Sequence, residues 1–171
     1  PSKEIYYTLD GSEPTKDSLK YENPILIEDA SKQENTYSMR EDFSTGFLIE
    51  DAEYEAPDYL IDKCTILKVV YYDDTDIRSD VEERVYFVDF EEKEGYENIN
   101  IISITSDPKN LFGDEEGIYV LGETYQKFLV DGSEEEKARD WCFWAANYRN
   151  GGRRWEREAN ITIFNTNKEK V

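Results

Sequence analysis

The chain has 171 residues, with 40 acidic residues against 20 basic ones, no histidine and a net charge of −20. The lack of histidine excludes histidine-dependent triads and most zinc centres, and the acidic field disfavours nucleic acid and anionic membranes. Aromatic residues make up 14% of the chain, enough apolar material for a folded core despite the charge. Residues 1–90 hold 23 acids and 9 bases and residues 91–171 hold 17 and 11, so both halves are acidic and the first is more so. No run of 18 apolar residues occurs, and no membrane span is expected. The two cysteines, Cys64 and Cys142, are far apart and lack metal-ligating neighbours, so two buried free thiols are expected rather than a disulfide. The chain begins in what reads as mid-strand and ends just after a turn, so it is expected to be part of a longer protein, and no targeting signal can be judged from it.

In the first half, Ile5–Leu9 (IYYTL) is β-branched and aromatic and predicts a strand. Asp10-Gly11-Ser12 predicts a turn, with Gly11 at positive φ, Asp10 and Ser12 bonded to nearby backbone, and Pro14 stiffening the exit. Tyr21–Ile27 predicts another strand, with Pro24 marking an edge or a bulge. Asp29–Tyr37 reads as loop, Thr45–Ile49 as a short strand and Asp51–Pro57 as irregular surface. Cys64–Tyr72 (CTILKVVYY) is the best central strand, followed by a turn at Asp73-Asp74-Thr75-Asp76. Glu83–Phe90 (ERVYFVDF) predicts a buried strand that closes this half, and the polar stretch Glu91–Asn100 reads as a connector. Short strands, polar turns and no helical run predict an all-β sandwich.

Tyr6-Tyr7-Thr8-Leu9-Asp10-Gly11-Ser12-Glu13-Pro14-Thr15, followed by Ser18, Tyr21 and Pro24-Ile25, resembles the immunoglobulin-like module at the C-terminus of bacterial chitobiases and β-hexosaminidases. The resemblance implies that the Asp-Gly-Ser-Glu-Pro-Thr segment is a structural turn and not a catalytic site.

In the second half, Ile99–Thr105 (INIISIT) predicts a strand, and Asp107-Pro108 starts a short helical turn ending at Leu111-Phe112. Gly113–Gly117 reads as an acidic turn and Ile118–Leu121 as a short strand or extended piece; Gly122–Gly132 is ambiguous. Ser133–Trp144 opens with a capping box and three glutamates, and predicts a helix or irregular helical segment with Ala138, Trp141, Cys142 and Ala145 on one face. The paired glycines of Asn147–Trp155 (NYRNGGRRW) suggest a hairpin loop, Glu156–Phe164 predicts a strand, and Asn165–Lys168 a turn.

Ile102-Ser103-Ile104-Thr105, Asp107-Pro108-Lys109-Asn110-Leu111-Phe112, Gly117-Ile118-Tyr119-Val120, Asn147-Tyr148 and Trp155-Glu156-Arg157-Glu158-Ala159 resemble the opening of the CotH-type kinase domain, named for bacterial spore coat proteins, across about residues 99–167. The resemblance implies a parent that is an atypical protein kinase acting on serine, with ATP and a divalent metal held by segments not matched in this chain. It also implies an extracellular, cell-surface or spore-coat setting in Firmicutes.

Four arginines, Arg149, Arg153, Arg154 and Arg157, stand out in the acidic chain. Internal pairing with Glu156, Glu158 or the Glu134–Glu136 run is the plainer reading. The functional one is recognition of a phosphate or acidic partner by bidentate contacts. Tyr148 and Trp155 join Trp141, Trp144 and Tyr125 in an aromatic group that reads first as core and second as a sugar-stacking platform. Asp73, Asp74 and Asp76 lack the distal glutamate and glycine of an EF-hand; they read first as a plain turn, with calcium binding by their alternating oxygens as the alternative. The carboxylates are too numerous to single out a catalytic pair.

The expected architecture is therefore mainly β: an immunoglobulin-like β-sandwich over residues 1–90, then a partial, mostly β, α+β domain over 91–171. No catalytic, cofactor-binding or metal-ligating residue is expected in this chain. Arg149, Arg153, Arg154, Tyr148 and Trp155 are the candidate partner-binding residues. The expected role is a non-catalytic accessory fragment that positions its parent against a protein or cell-surface partner, with a glycan or cell wall as the alternative ligand.

Overall fold

The computed structural model describes residues 4–43 and 55–171. Among these the fold is mainly β, as expected, with six strands in two antiparallel sheets. The expected strand at Thr45–Ile49 and part of the irregular stretch Asp51–Pro57 lie outside the described residues. The chain forms two compact units: Pro1–Gln33 with Ile61–Asp107 and Ala159–Val171, and Glu34–Leu60 with Pro108–Glu158. The units interleave in sequence. Strand pairing is non-local, and it draws a strand from beyond residue 159 back to one near residue 101.

In the first unit, β1 (Glu4–Thr8), β2 (Leu19–Lys20), β3 (Thr65–Tyr72) and β4 (Glu82–Tyr86) form a sheet in the order β2-β1-β3-β4. β3 pairs with β1 on one side and β4 on the other, the central place expected of Cys64–Tyr72. Its Thr65, Lys68 and Val70 are buried. The turn after β1 is built as the sequence implies. Gly11 takes φ +82°, and Asp10 Oδ1 accepts from the Ser12 amide at 3.0 Å and the Ser12 hydroxyl at 2.6 Å. Thr8 Oγ1 donates to the Ser12 carbonyl at 2.6 Å, and Pro14 is buried below. These bonds satisfy polar groups that would otherwise compete with the sheet.

Three strand assignments are corrected. The edge strand is only Leu19–Lys20; Tyr21–Ile27 has no regular structure, since Pro24 lacks an amide donor for a ladder. β4 ends at Tyr86 instead of Phe90. The chain turns over residues 88–94, with Asp89 at φ +63°. Phe90 is still buried, because the turn folds its ring back against Phe87 (5.1 Å between centroids) and Tyr96 (4.8 Å). The last strand starts at Asn160 rather than Glu156.

β5 (Ile101–Thr105) and β6 (Asn160–Phe164) form the second sheet, with Ile102 opposite Ile163 and Ile104 opposite Ile161. Ser103 and Thr105 are buried. Thr105 Oγ1 donates to Glu83 Oε1 at 2.5 Å and Asn160 Nδ2 donates to Glu83 Oε2 at 3.0 Å. Glu83 in turn lies 3.8 Å from the buried Lys68 ammonium, its register partner on β3. The Phe87 and Phe164 rings, 5.3 Å apart, complete the link between the sheets.

In the second unit, α1 (Pro108–Phe112) starts with its proline at the first helical position, where no amide is needed. Tyr37, in a 3₁₀ turn at Tyr37–Met39, stacks on Phe112 at 4.5 Å. Residues 118–120 form a turn, not the expected extended piece. Gly122–Gly132 resolves into α2 (Gly122–Asp131), whose Tyr125 and Phe128 pack with Leu121, Trp144, Ala146 and Tyr148. The Ser133 capping box is present, but the helix it opens, α3 (Glu134–Lys137), has only four residues. Asp140 ends the helical run and caps a separate 3₁₀ turn at Trp141–Phe143. The Gly151-Gly152 pair does not make a hairpin; it joins two 3₁₀ turns, Asn147–Arg149 and Arg153–Trp155, with Gly152 at φ +81°.

Candidate functional site

β2 is so short that the chain leaves the sheet edge early, and a groove opens beside it. The groove has a volume of about 520 Å³ and lies between β1, the Asp10-Gly11-Ser12 turn, β2 and the irregular segment that follows. Tyr7, Leu19, Leu26 and Ile27 supply its apolar lining, and Leu19 and Leu26 are exposed to solvent. Asp10, Asp17 and Glu28 place exposed carboxylates around it. Burial opposes ionisation of Asp10, but the two hydrogen bonds from Ser12 outweigh it and hold the carboxyl below its ordinary value. Cys64 also lines the groove as a free thiol whose pKa is raised by burial, which makes it a poor nucleophile near neutrality. The hydroxyls of Thr8, Ser12 and Ser18 are engaged in turn bonds. An apolar floor with an acidic rim suits an extended peptide with apolar and cationic side chains.

The same unit contains a second ionic cluster. Lys93 Nζ donates to Asp62 Oδ1 at 2.6 Å and Ser31 Oγ at 2.6 Å, lies 3.4 Å from Asp29 Oδ1, and sits 4.5 Å from the Phe90 ring centroid. The hydrogen bond from Lys93 holds the Asp62 carboxyl below its ordinary 3.8. Burial works against the Lys93 ammonium, but its bonds to Asp62 and Asp29 and the charges of both carboxylates together outweigh this and raise the pKa above 10.5. The cluster thus acts as a clasp between the turn at Ala30–Lys32, the start of the 61–107 segment and the turn after β4. A depressed carboxylate adds stability that is present above its unfolded pKa and is lost as pH falls through the folded one. A raised lysine adds stability that is present below 10.5 and is lost as pH rises through the folded value. Lys93→Met is therefore expected to cost about 1–2 kcal/mol between about pH 5 and pH 10. The gap from the parent should narrow as pH falls through 3.8, where Asp62 is half protonated in the unfolded chain. Urea titrations at pH 3 and pH 7 test this; an equal gap at both would remove the clasp.

The sequence-selected residues lie in the second unit. Tyr148 and Arg149 share one 3₁₀ turn, and Arg153, Arg154 and Trp155 form the next. Arg149, Arg153 and Arg154 are exposed. Arg149 lies 5.4 Å from the Tyr148 ring centroid, while Tyr148 itself packs against the core of Leu121, Tyr125 and Ala146. Trp155 is half-buried, with the Arg157 guanidinium 5.2 Å from its ring centroid. Arg157 is a structural residue: it donates to the carbonyls of Glu116, Arg154 and Glu156. Trp144 and Tyr125 stack in the core, as the plainer reading has it.

Asn147 enters the sequence reading only through the resemblance and not as a candidate site residue, yet it organises this unit. It is buried, Oδ1 accepts from the Thr124 amide at 3.1 Å and Nδ2 donates to the Asp114 carbonyl at 2.7 Å. α2 has no side-chain cap of its own, and Asn147 supplies one from 23 residues away. No local signal could have announced it. Asp73 serves the turn it sits in, accepting from the amides of Thr75 and Ile77, both at 2.9 Å. Among the described residues, no group of three or more His, Cys, Asp or Glu side chains is placed to hold a metal ion, and no helix is long and apolar enough to cross a membrane.

Compared with known proteins, residues 1–86 match a family model described as Fn3 associated. No curated protein and no solved structure matches the chain.

Proposed function

Because the chain belongs to the Fn3-associated family, we propose that it is a non-catalytic accessory part of a larger secreted or surface protein, and that its module at residues 1–86 holds a protein partner in the groove beside β2. The observation that carries this is the pairing of an exposed apolar lining, Leu19 and Leu26, with the carboxylates of Asp17 and Glu28. A cationic, partly apolar peptide segment gains hydrophobic burial from the lining and charge-assisted bonds from the rim. The resemblance of residues 99–167 to the opening of a CotH-type domain extends the proposal. The parent would be an atypical serine kinase whose ATP and divalent metal are held outside this chain, and the module would position it at a cell surface or spore coat. A glycan or cell-wall ligand is the second reading. It rests on Trp155 and Tyr148, which keep part of their rings accessible beside Arg149, Arg153 and Arg154.

Calorimetric titration of the chain with a ten-residue peptide alternating lysine and valine tests the proposal. Binding with a Kd of about 10–100 µM is expected, with no binding of the glutamate–valine analogue. The double variant Leu19→Ser, Leu26→Ser leaves the charge unchanged and should weaken binding about tenfold. Equal binding by that variant would make the contact non-specific charge attraction and remove the groove as the site. Binding of a chito-oligosaccharide that Trp155→Ala abolishes would replace the peptide reading with the glycan one. Turnover of ATP by the chain would overturn the non-catalytic assignment.

A further inference from the structure

Glu83 stands between an amine and an amide. Its Oε2 accepts from Asn160 Nδ2 at 3.0 Å and lies 3.8 Å from Lys68 Nζ, while Thr105 holds the other oxygen, Oε1. All four residues belong to the same compact unit. The Lys68 and Glu83 side chains are only 7% and 11% exposed, so the pair is largely out of water. Asp10 is another carboxylate whose charge reaches Lys68, but its Oδ1 is taken by Ser12. Asn160 lies at the rim of the cluster, exposed as a residue, with its amide nitrogen bonded to Glu83.

This is more than a buried ion pair needs. A dry setting penalises both charges and favours passage of the lysine proton to the carboxylate, which leaves an uncharged, nucleophilic amine. The Asn160 carboxamide supplies an electrophilic carbon, and its leaving nitrogen already bonds the oxygen that would protonate it. Folding gathers both reactants around one carboxylate oxygen, which turns a very slow exchange between two amides' components into a unimolecular step.

We propose that Lys68 and Asn160 are a modification site: the folded chain joins Lys68 Nζ to Asn160 Cγ in an isopeptide bond, with Glu83 relaying the protons. Lys68 passes one proton to Glu83 Oε2, and the freed lone pair of Nζ attacks Cγ. Glu83 delivers that proton to Nδ2 as the Cγ–Nδ2 bond breaks. The second proton lost by Nζ follows the same route. The nitrogen therefore leaves as ammonium, Glu83 ends as a carboxylate, and no oxidant or further reactant is consumed. The exposed position of Asn160 gives the ammonium a way out. The bond ties β3 to β6 and closes the chain between Lys68 and Asn160 into a covalent loop, which limits the freedom of the unfolded chain. Until it forms, the ion pair holds Lys68, and the energies of Lys68 and Glu83 are those of the unlinked chain.

Mass spectrometry of the purified chain, fresh and after several days folded at neutral pH, tests the proposal. A loss of about 17 Da, one ammonia, is expected, together with a tryptic product in which residues 64–78, uncut at Lys68, are joined to residues 158–168. Lys68→Met and Asn160→Ala should keep the full mass. Glu83→Gln keeps an acceptor for Thr105 but cannot carry the proton, and it should also stay at full mass over the same period. Circular dichroism identifies which variants keep the parent fold. A parent chain that stays at full mass overturns the proposal. So does a loss of ammonia that persists in Lys68→Met, since it would be a cyclic imide at an asparagine. A folded Glu83→Gln variant that links as fast as the parent overturns it as well, because Glu83 would then take no part in the reaction.

Discussion

Gly122→Ala is expected to lower the stability of the unit containing Pro108–Glu158 by about 3 kcal/mol. Two costs combine. Gly122 sits at φ +57°, where a side chain strains the backbone, and a Cβ there would run into Asn147 Nδ2 and lie 2.5 Å from the Asp114 carbonyl oxygen. Neither neighbour can give way freely. Asn147 is buried and bridges the Thr124 amide and the Asp114 carbonyl, so displacing it uncaps α2 and leaves buried polar groups unpaired. The core that α2 contributes, Tyr125 and Phe128 against Trp144, should loosen with it. Gly151→Ala is the control, because nothing lies within 4 Å of a Cβ built there, and it should be neutral within about 0.5 kcal/mol. Urea denaturation followed by tryptophan fluorescence compares the two. Matching midpoints would mean that Asn147 is not the fixed cap described above.

Glu83→Ala should cost about 3 kcal/mol, because it removes the ion-pair partner of the buried Lys68 ammonium, leaving it only the Asp10 carboxylate, and takes the acceptor from Thr105 and Asn160. Lys68 is 6% exposed and cannot simply turn to solvent. Glu83→Gln keeps an acceptor for Thr105 and should lose less. The double variant Lys68→Met, Glu83→Leu removes both charges at once, and its cost should fall well below the sum of the two single changes. A coupling energy of at least about 1.5 kcal/mol between Lys68 and Glu83 is expected from the cycle. A value under about 0.5 kcal/mol would show that water, not Glu83, neutralises the lysine.

Both predictions concern contacts between residues distant in sequence, and that distance separates what could be read early from what could not. Asp10-Gly11-Ser12, the Ser133–Glu136 capping box and the Pro108 helix start depend on three or four adjacent residues, so their chemistry is complete within the sequence window that contains them. Cys64–Tyr72 was legible as the central strand because eight apolar or β-branched residues in nine admit few other places in a sheet. The mainly β character follows from the same run of short strands and turns. The candidate residues Tyr148, Arg149, Arg153, Arg154 and Trp155 were visible as a basic, aromatic segment; that Tyr148 spends its ring on a core while Arg153 and Arg154 stay exposed was not. Nor was the groove beside β2, since it exists only because an edge strand stops after two residues. Ile102, Ile104, Ile161 and Ile163 were legible as strand residues, but not that they face outward. The burial of Ser103 and Thr105 depends on Glu83 and Lys68 lying opposite, and no periodicity along β5 carries that information. α2 remained ambiguous for the same reason: its cap comes from Asn147, and a helix whose first turn is closed by a residue 23 positions away announces itself only when the chain is folded.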